Sequence, residues 1–104
     1  MFNLNDYTKG WLIGDFSPAL IQSKDVEVGI KEYKKGDIET SHVHKIVTEY
    51  TIVLTGKVKM IYQVFEKGQI IKIDPGIYTS FEALEDTITL VIKTPSIPSD
   101  KEVL

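Results

Sequence analysis

Short β-prone runs, broken by Gly, Pro or Asp at roughly the 8–12-residue spacing of a β sandwich or barrel, constrain the fold of this chain more than any other feature. Val26, Val28 and Ile30 alternate with Glu27, Gly29 and Lys31, the period-2 pattern of a half-buried strand. Lys34-Lys35-Gly36-Asp37 reads as a turn. Tyr50 to Leu54 is rich in β-branched residues and ends at Thr55-Gly56-Lys57, a short hairpin loop. Val58, Met60, Tyr62 and Val64 form the next alternating run, and Glu66-Lys67-Gly68 turns the chain again. Gln69 to Ile73 is a strand stopped by Asp74-Pro75-Gly76, where proline then glycine suits the centre of a type II turn. Ile77 to Phe81 continues as a strand, Leu84-Glu85-Asp86 is the next break, and Thr87 to Lys93 is the most β-prone run of all. Seven or eight strands and no amphipathic helix give an all-β fold, and the absence of a sequence repeat argues against a solenoid or propeller.

At 104 residues the chain is expected to be one domain, residues 1–104, with enough length for one modest core. Residues 1–24 contribute edge strands, one around Trp11-Leu12-Ile13 and a second after the turn at Ser17-Pro18. Residues 25–93 form the barrel, and the proline-containing tail, 94–104, is expected to run along the surface. The net charge of −3 comes with no dense cluster of lysines, which argues against nucleic acid as a partner. With no cysteine, disulfides, thiolate metal sites and thiol nucleophiles are excluded together. No apolar run approaches the ~20 residues of a membrane span, and the first residues lack the pattern of a signal peptide, so a cytoplasmic protein is expected.

The chemistry concentrates between Gly36 and Gly56, in GDIETSHVHKIVTEYTIVLTG. In an extended strand His42 and His44 point to the same side, about 6.6 Å apart along the chain. Glu49 follows after four residues, enough to turn and begin a neighbouring strand. Two imidazoles and a carboxylate make a half-shell for a divalent metal, with positions left open for water or substrate. The other reading of the same three residues is a hydrogen-bonded polar cluster without a metal. Met60 reads as core filling and Lys93 as a solvated position. No nucleophile elbow and no glycine-rich phosphate loop is present.

This stretch resembles the first motif of the cupin superfamily, G-x5-H-x-H-x3or4-E-x6-G, met here by Gly36, His42, His44, Glu49 and Gly56. The second cupin motif, G-x5-P-x-G-x2-H-x3-N, is followed in part: Gly68 and Gly76 are in place, Pro75 is displaced by one, and Thr79 and Ala83 stand at the histidine and asparagine positions. The resemblance covers about residues 25–93. It implies a cupin-type double-stranded β-helix, a jelly-roll barrel, with His42, His44 and Glu49 as metal ligands and Thr79 where the family has its fourth ligand. Thr79, Phe81, Tyr62 and Tyr78 are the candidates for lining a pocket. The ion would be divalent, with iron, manganese, zinc, nickel and cobalt all suited to these donors.

Two functions are compatible with this. One is a metal-dependent isomerase or oxygenase acting on a small oxygen-rich molecule, a sugar or a hydroxy or keto acid, although the sequence names no general base. The other is a non-catalytic module that binds a ligand or metal as a sensor or carrier. A homodimer is expected in either case, because the strand Thr87 to Lys93 is apolar on both faces, with Ile88, Leu90 and Ile92 on one and Val91 on the other.

Overall fold

A computed structural model describes residues 1–103 as two facing β-sheets. The strands are β1 (Trp11–Gly14), β2 (Ile21–Gln22), β3 (Glu27–Tyr33), β4 (Ile38–Val43), β5 (Thr48–Thr55), β6 (Lys57–Met60), β7 (Gln63–Glu66), β8 (Ile70–Ile73), β9 (Thr79–Ala83), β10 (Thr87–Thr94) and β11 (Glu102–Val103). The larger sheet has the order β2-β1-β3-β10-β5-β8 and the smaller β11-β4-β9-β6-β7. Among the described residues the only helical elements are two 3-10 turns, Leu4–Asp6 and Thr8–Gly10. Every link from β3 to β10 passes from one sheet to the other except the β6–β7 hairpin. That is the path of a jelly roll, and it confirms the all-β architecture expected from the runs and breaks.

The apolar core fills one end of the space between the sheets. Val53, Val58, Met60, Ile71, Ile73, Phe81 and Ala83 are buried there, from strands of both sheets. Burying a side chain of this size stabilises the fold by about 1.5–3 kcal/mol, so this cluster is the main cohesive element. At the other end the inward-facing residues are polar. In β3 the alternation is present, but its buried members are Glu27 and Gly29, while Val26, Val28 and Ile30 are half-buried on the outer face.

Three local expectations differ from the structure. Thr55-Gly56-Lys57 is not a hairpin loop, because β5 and β6 belong to different sheets. Gly56 is the corner between them: its φ is +93°, and a Cβ there would lie 2.4 Å from the Asp86 carbonyl oxygen. The run Val58–Val64 is not one strand but two, joined by a tight turn at Ile61 and Tyr62, both at positive φ (49° and 59°). This is the type I′ geometry that favours Asn-Gly, and a sequence scan for Asn-Gly passes over Ile-Tyr. Finally, the tail does not simply follow the surface. Ser96 and Asp100 are buried, and β11 pairs with β4 opposite His42 and Val43.

Ile61 packs against the core, which offsets its strained backbone, whereas Tyr62 is 96% exposed. A left-handed conformation costs a non-glycine residue about 1–2 kcal/mol. Tyr62→Gly is therefore expected to raise unfolding stability by about 1 kcal/mol in urea titrations, after the extra unfolded-state entropy of glycine is allowed for. An unchanged or lower midpoint would mean that the Tyr62 ring holds the turn.

Candidate metal centre and cavity

The three candidate ligands surround the link between β4 and β5. His42 is in β4, His44 lies one residue past its end, and Glu49 is the second residue of β5. Because β4 and β5 are in different sheets, the link draws groups from both walls of the barrel to one point. All three are buried, and one ligand atom from each lies within 4.8 Å of the others. The two imidazole rings meet edge to face at 5.4 Å. His44 Nε2 stands 3.4 Å from Glu49 Oε1, a separation suited to two ligands each ~2.1 Å from one ion.

Backbone carbonyls orient both rings. Nδ1 of His42 faces the Thr40 oxygen at 3.2 Å, and Nδ1 of His44 faces the Asp100 oxygen at 2.6 Å. A carbonyl oxygen only accepts, so Nδ1–H donates in each ring, and in the neutral ring the lone pair is on Nε2, the tautomer that metal binding through Nε2 requires. Burial holds His42 below its usual pKa, opposed by the Thr40 contact, so its ring is neutral near pH 7. Burial pushes Glu49 up, but the nearby His44 ring, the Lys93 charge and the Thr51 hydroxyl together outweigh it and hold the carboxyl below its ordinary value. Thr51 Oγ1 donates to Glu49 Oε2 at 3.0 Å.

Asp100 organises the link itself. Its carboxylate accepts the backbone N–H groups of Lys45 (3.1 Å), Ile46 (2.8 Å) and Val47 (2.9 Å). Burial raises the Asp100 pKa, and these three bonds, led by Val47, more than reverse it. The Gly76 N–H also donates to the His44 carbonyl at 2.8 Å, so the Pro75-Gly76 turn braces the ligand loop from the other side.

The triad opens into a cavity of about 450 Å3. Its wall carries Trp11, Lys31, Tyr33, Phe81, Val91 and Lys93, with Glu27 and the tail residues Ile97, Pro98 and Lys101 closing the side. Glu27 accepts a hydrogen bond from Ser96 Oγ at 3.0 Å, and that oxygen accepts the Asp15 N–H at 2.8 Å. Burial, joined by the Lys93, Lys9 and Lys101 charges and opposed by Glu39, brings Lys31 down to about 8. Burial and Glu39, which accepts the Tyr33 hydroxyl at 3.3 Å, raise the Tyr33 pKa.

Of the pocket candidates, Phe81 lines the cavity, with its ring against Tyr33 at 4.2 Å. Thr79 stands across from His42 in the β4–β9 ladder and is buried, but its hydroxyl donates to the Ser80 carbonyl at 3.1 Å and it is outside the cavity lining. Tyr62 and Tyr78 are a correction: they are 96% and 54% exposed and do not line the cavity, because the chain turns at Tyr62 and β9 starts only after Tyr78. Sequence reasoning missed Trp11, Lys31, Asp100 and the inward position of Lys93. The signal for Lys31 was present in the β3 alternation, once the polar face is taken as the inner one. For Asp100, 56 residues from His44, no local signal exists.

No protein-family model and no curated protein matches the chain. Solved structures do. An uncharacterised conserved protein with a double-stranded β-helix domain from Klebsiella pneumoniae aligns over 99% of this chain and 89% of its own, with 17% identity and a TM-score of 0.75. An RmlC-like cupin from Desulfovibrio desulfuricans aligns over 72% and 76%, with 21% identity and a TM-score of 0.64. A variant of Bacillus subtilis oxalate decarboxylase aligns over 79% of this chain but 25% of its own, with 17% identity and a TM-score of 0.71. These likenesses identify the fold: the chain is a double-stranded β-helix of the cupin type.

Removing the Asp100 carboxylate leaves three backbone donors without their acceptor. Asp100→Ala is expected to lower stability by about 2 kcal/mol at pH 7, and Asp100→Asn by less. Because the folded pKa is depressed, the wild-type contribution is fully present above the unfolded value of ~3.9 and is lost as pH falls through the lower folded value. Urea midpoints measured from pH 7 to pH 2 should therefore converge for wild type and Asp100→Ala at the acid end. A constant gap would show that the carboxylate charge is not what holds the loop.

Proposed function

With the cupin fold as premise, we propose that His42, His44 and Glu49 hold a divalent metal ion, and that the adjoining cavity takes a small oxygen-rich molecule, a sugar or a hydroxy or keto acid. One observation carries the reading. His44 Nε2 is buried without a hydrogen-bond partner, while the same ring faces a carbonyl oxygen through Nδ1 and has a carboxylate 3.4 Å from Nε2. A neutral imidazole has one proton and cannot satisfy two acceptors. A second proton or a metal cation at Nε2 resolves the conflict, and the donor set of two nitrogens and one oxygen suits a first-row divalent ion. Such an ion would supply Lewis acidity toward a bound carbonyl or hydroxyl, the basis of an isomerase or, with iron, of dioxygen chemistry.

The chain's own groups exclude and orient. Phe81, Met60 and Val91 present apolar surface toward the ligand, and the tail closes one side of the cavity. A non-catalytic binding module is the second reading, and one observation favours it. Each wall carboxylate other than Glu49 already accepts a hydrogen bond, Glu27 from Ser96, Glu39 from Tyr33 and Asp100 from the ligand loop, which lowers its readiness to act as a base.

The assembly proposed with either reading is a homodimer through the outer face of the larger sheet. Val28, Ile30, Tyr50, Ile52, Ile88, Leu90 and Ile92 form a continuous half-buried apolar surface on β3, β10 and β5, with Leu90 directly between Ile30 and Ile52. A stable dimer of ordinary size would bury about 1,600 Å2 over such a face.

Two measurements test these statements. Elemental analysis of untagged protein prepared without chelator should find close to one metal per chain, lost in His42→Ala/His44→Ala. Saturating metal at ~100 times Kd should stabilise wild type by about 2.7 kcal/mol and the variant not at all. A wild-type chain that takes up none of iron, manganese, zinc, nickel or cobalt would end the metal reading. For the assembly, sedimentation at micromolar concentration should give a dimer for wild type and a monomer for Leu90→Lys; a monomeric wild type would overturn it.

A further inference from the structure

The wall of the cavity beside the triad carries an unusual arrangement of charge. Trp11 pairs with Gly29 across β1 and β3, and a Cβ on Gly29 would lie 2.7 Å from the indole. The missing side chain lets the ring lie directly on the strand. Lys31, two residues along β3, and Lys93, from β10, then reach the same ring, with ammonium nitrogens 4.3 Å and 4.8 Å from its centre. Lys31 also donates to the Lys9 carbonyl at 2.6 Å. Among the described residues neither lysine is within ion-pair distance of a carboxylate, although Glu49 and Glu27 flank Lys93 in register on β5 and β3.

Two ammonium groups gathered around one indole ring repel each other. A cation–π contact near the surface offsets only a small part of that repulsion. The remaining charges define what would relieve the repulsion. Lys9, Lys31, Lys93 and Lys101 line the cavity together with Glu27, Glu39, Glu49 and Asp100, so the walls are balanced. A divalent ion on the triad leaves two positive charges in excess. Lys93 is the direct ladder partner of Glu49, which places it one strand spacing, about 4.8 Å, from a ligand of the ion.

The geometry points to Lys31 and Lys93, seated on Trp11, as an anion-binding subsite that selects a ligand with two carboxylates, one group chelating the metal and the other held by the lysine pair. This rests on the metal reading of the triad for the chelated end, and it narrows the substrate class from oxygen-rich molecules in general to hydroxy or keto diacids. Lysine suits this task as a point charge that adapts to ligands of different length. Neutral sugars would leave both ammonium groups without a counter-charge.

The test uses the full chain in nickel-loaded and metal-free forms, as wild type and as Lys31→Gln/Lys93→Gln, with thermal unfolding to confirm that the variant folds. Calorimetric titration compares pyruvate, which has the chelating head alone, with 2-oxoglutarate and 2-oxoadipate, which add a second carboxylate. In the loaded wild type at least one diacid should bind about tenfold more tightly than pyruvate or better, as charge-assisted contacts allow. In the variant, which should still load nickel, that preference should vanish, so that the diacids bind no better than pyruvate does to the same variant. Diacids bound no better than pyruvate, or a preference that survives the substitutions, would overturn the subsite. Failure to load nickel would speak against the metal reading instead. The metal-free arm then decides alone: succinate raising the melting temperature of wild type but not of the variant upholds the lysine pair, and equal responses reject it.

Discussion

The site depends on how the chain crosses from the smaller sheet to the larger between Val43 and Thr48. A crossing of four residues leaves backbone donors without ladder partners, and three of them, at Lys45, Ile46 and Val47, converge on the Asp100 carboxylate. The carbonyl of the same residue sets the tautomer of His44. One residue near the end of the chain thus determines both the shape of the loop and the direction of a lone pair. The crossing also explains why His44 and Glu49 meet: they leave opposite walls of the barrel and approach across its interior.

Around this link the barrel divides into an apolar end, closed by Val53, Val58, Ile71 and Ala83, and a polar end, lined by Glu27, Lys31, Thr51, Thr89 and Lys93. Burying polar groups is costly unless they are paired. Much of that cost is met by the Glu27–Ser96–Asp15 chain of bonds and by Thr51 on Glu49, while His44 Nε2 and Thr89 Oγ1 remain buried without partners. Unpaired polar atoms in an otherwise satisfied wall are the ones the proposed ligand would pair with. The larger sheet consequently carries more apolar surface outside than inside at this end, the reverse of an ordinary sandwich. A polar cavity and an apolar outer face are two consequences of one distribution of residues.

Much of this was legible beforehand, for physical reasons that can be named. The turns at Gly36, Gly68 and Pro75-Gly76 are encoded by residues that tolerate positive φ, as observed at all three glycines. The spacing of His42, His44 and Glu49 is local, so strand geometry and a short link suffice to bring them together. What escaped was the turn at Ile61-Tyr62, where core packing of Ile61 overrides turn preference, and the identity of the inner face of β3. A period-2 pattern locates two faces but not which one is buried, and here the interior is a polar cavity.

The sequence by itself determined the all-β class, most of the longer strands and corners and the proximity of the three candidate ligands, because each follows from residues within about a dozen positions of one another. The tertiary structure alone decided the rest. Asp100 reaches His44 across 56 residues, and Lys93 comes beside Glu49 across a ladder of the larger sheet. Trp11 lies on Gly29 only because β1 pairs with β3. These contacts are set by sheet order, and sheet order is a property of the whole chain's packing that no local run of residues encodes.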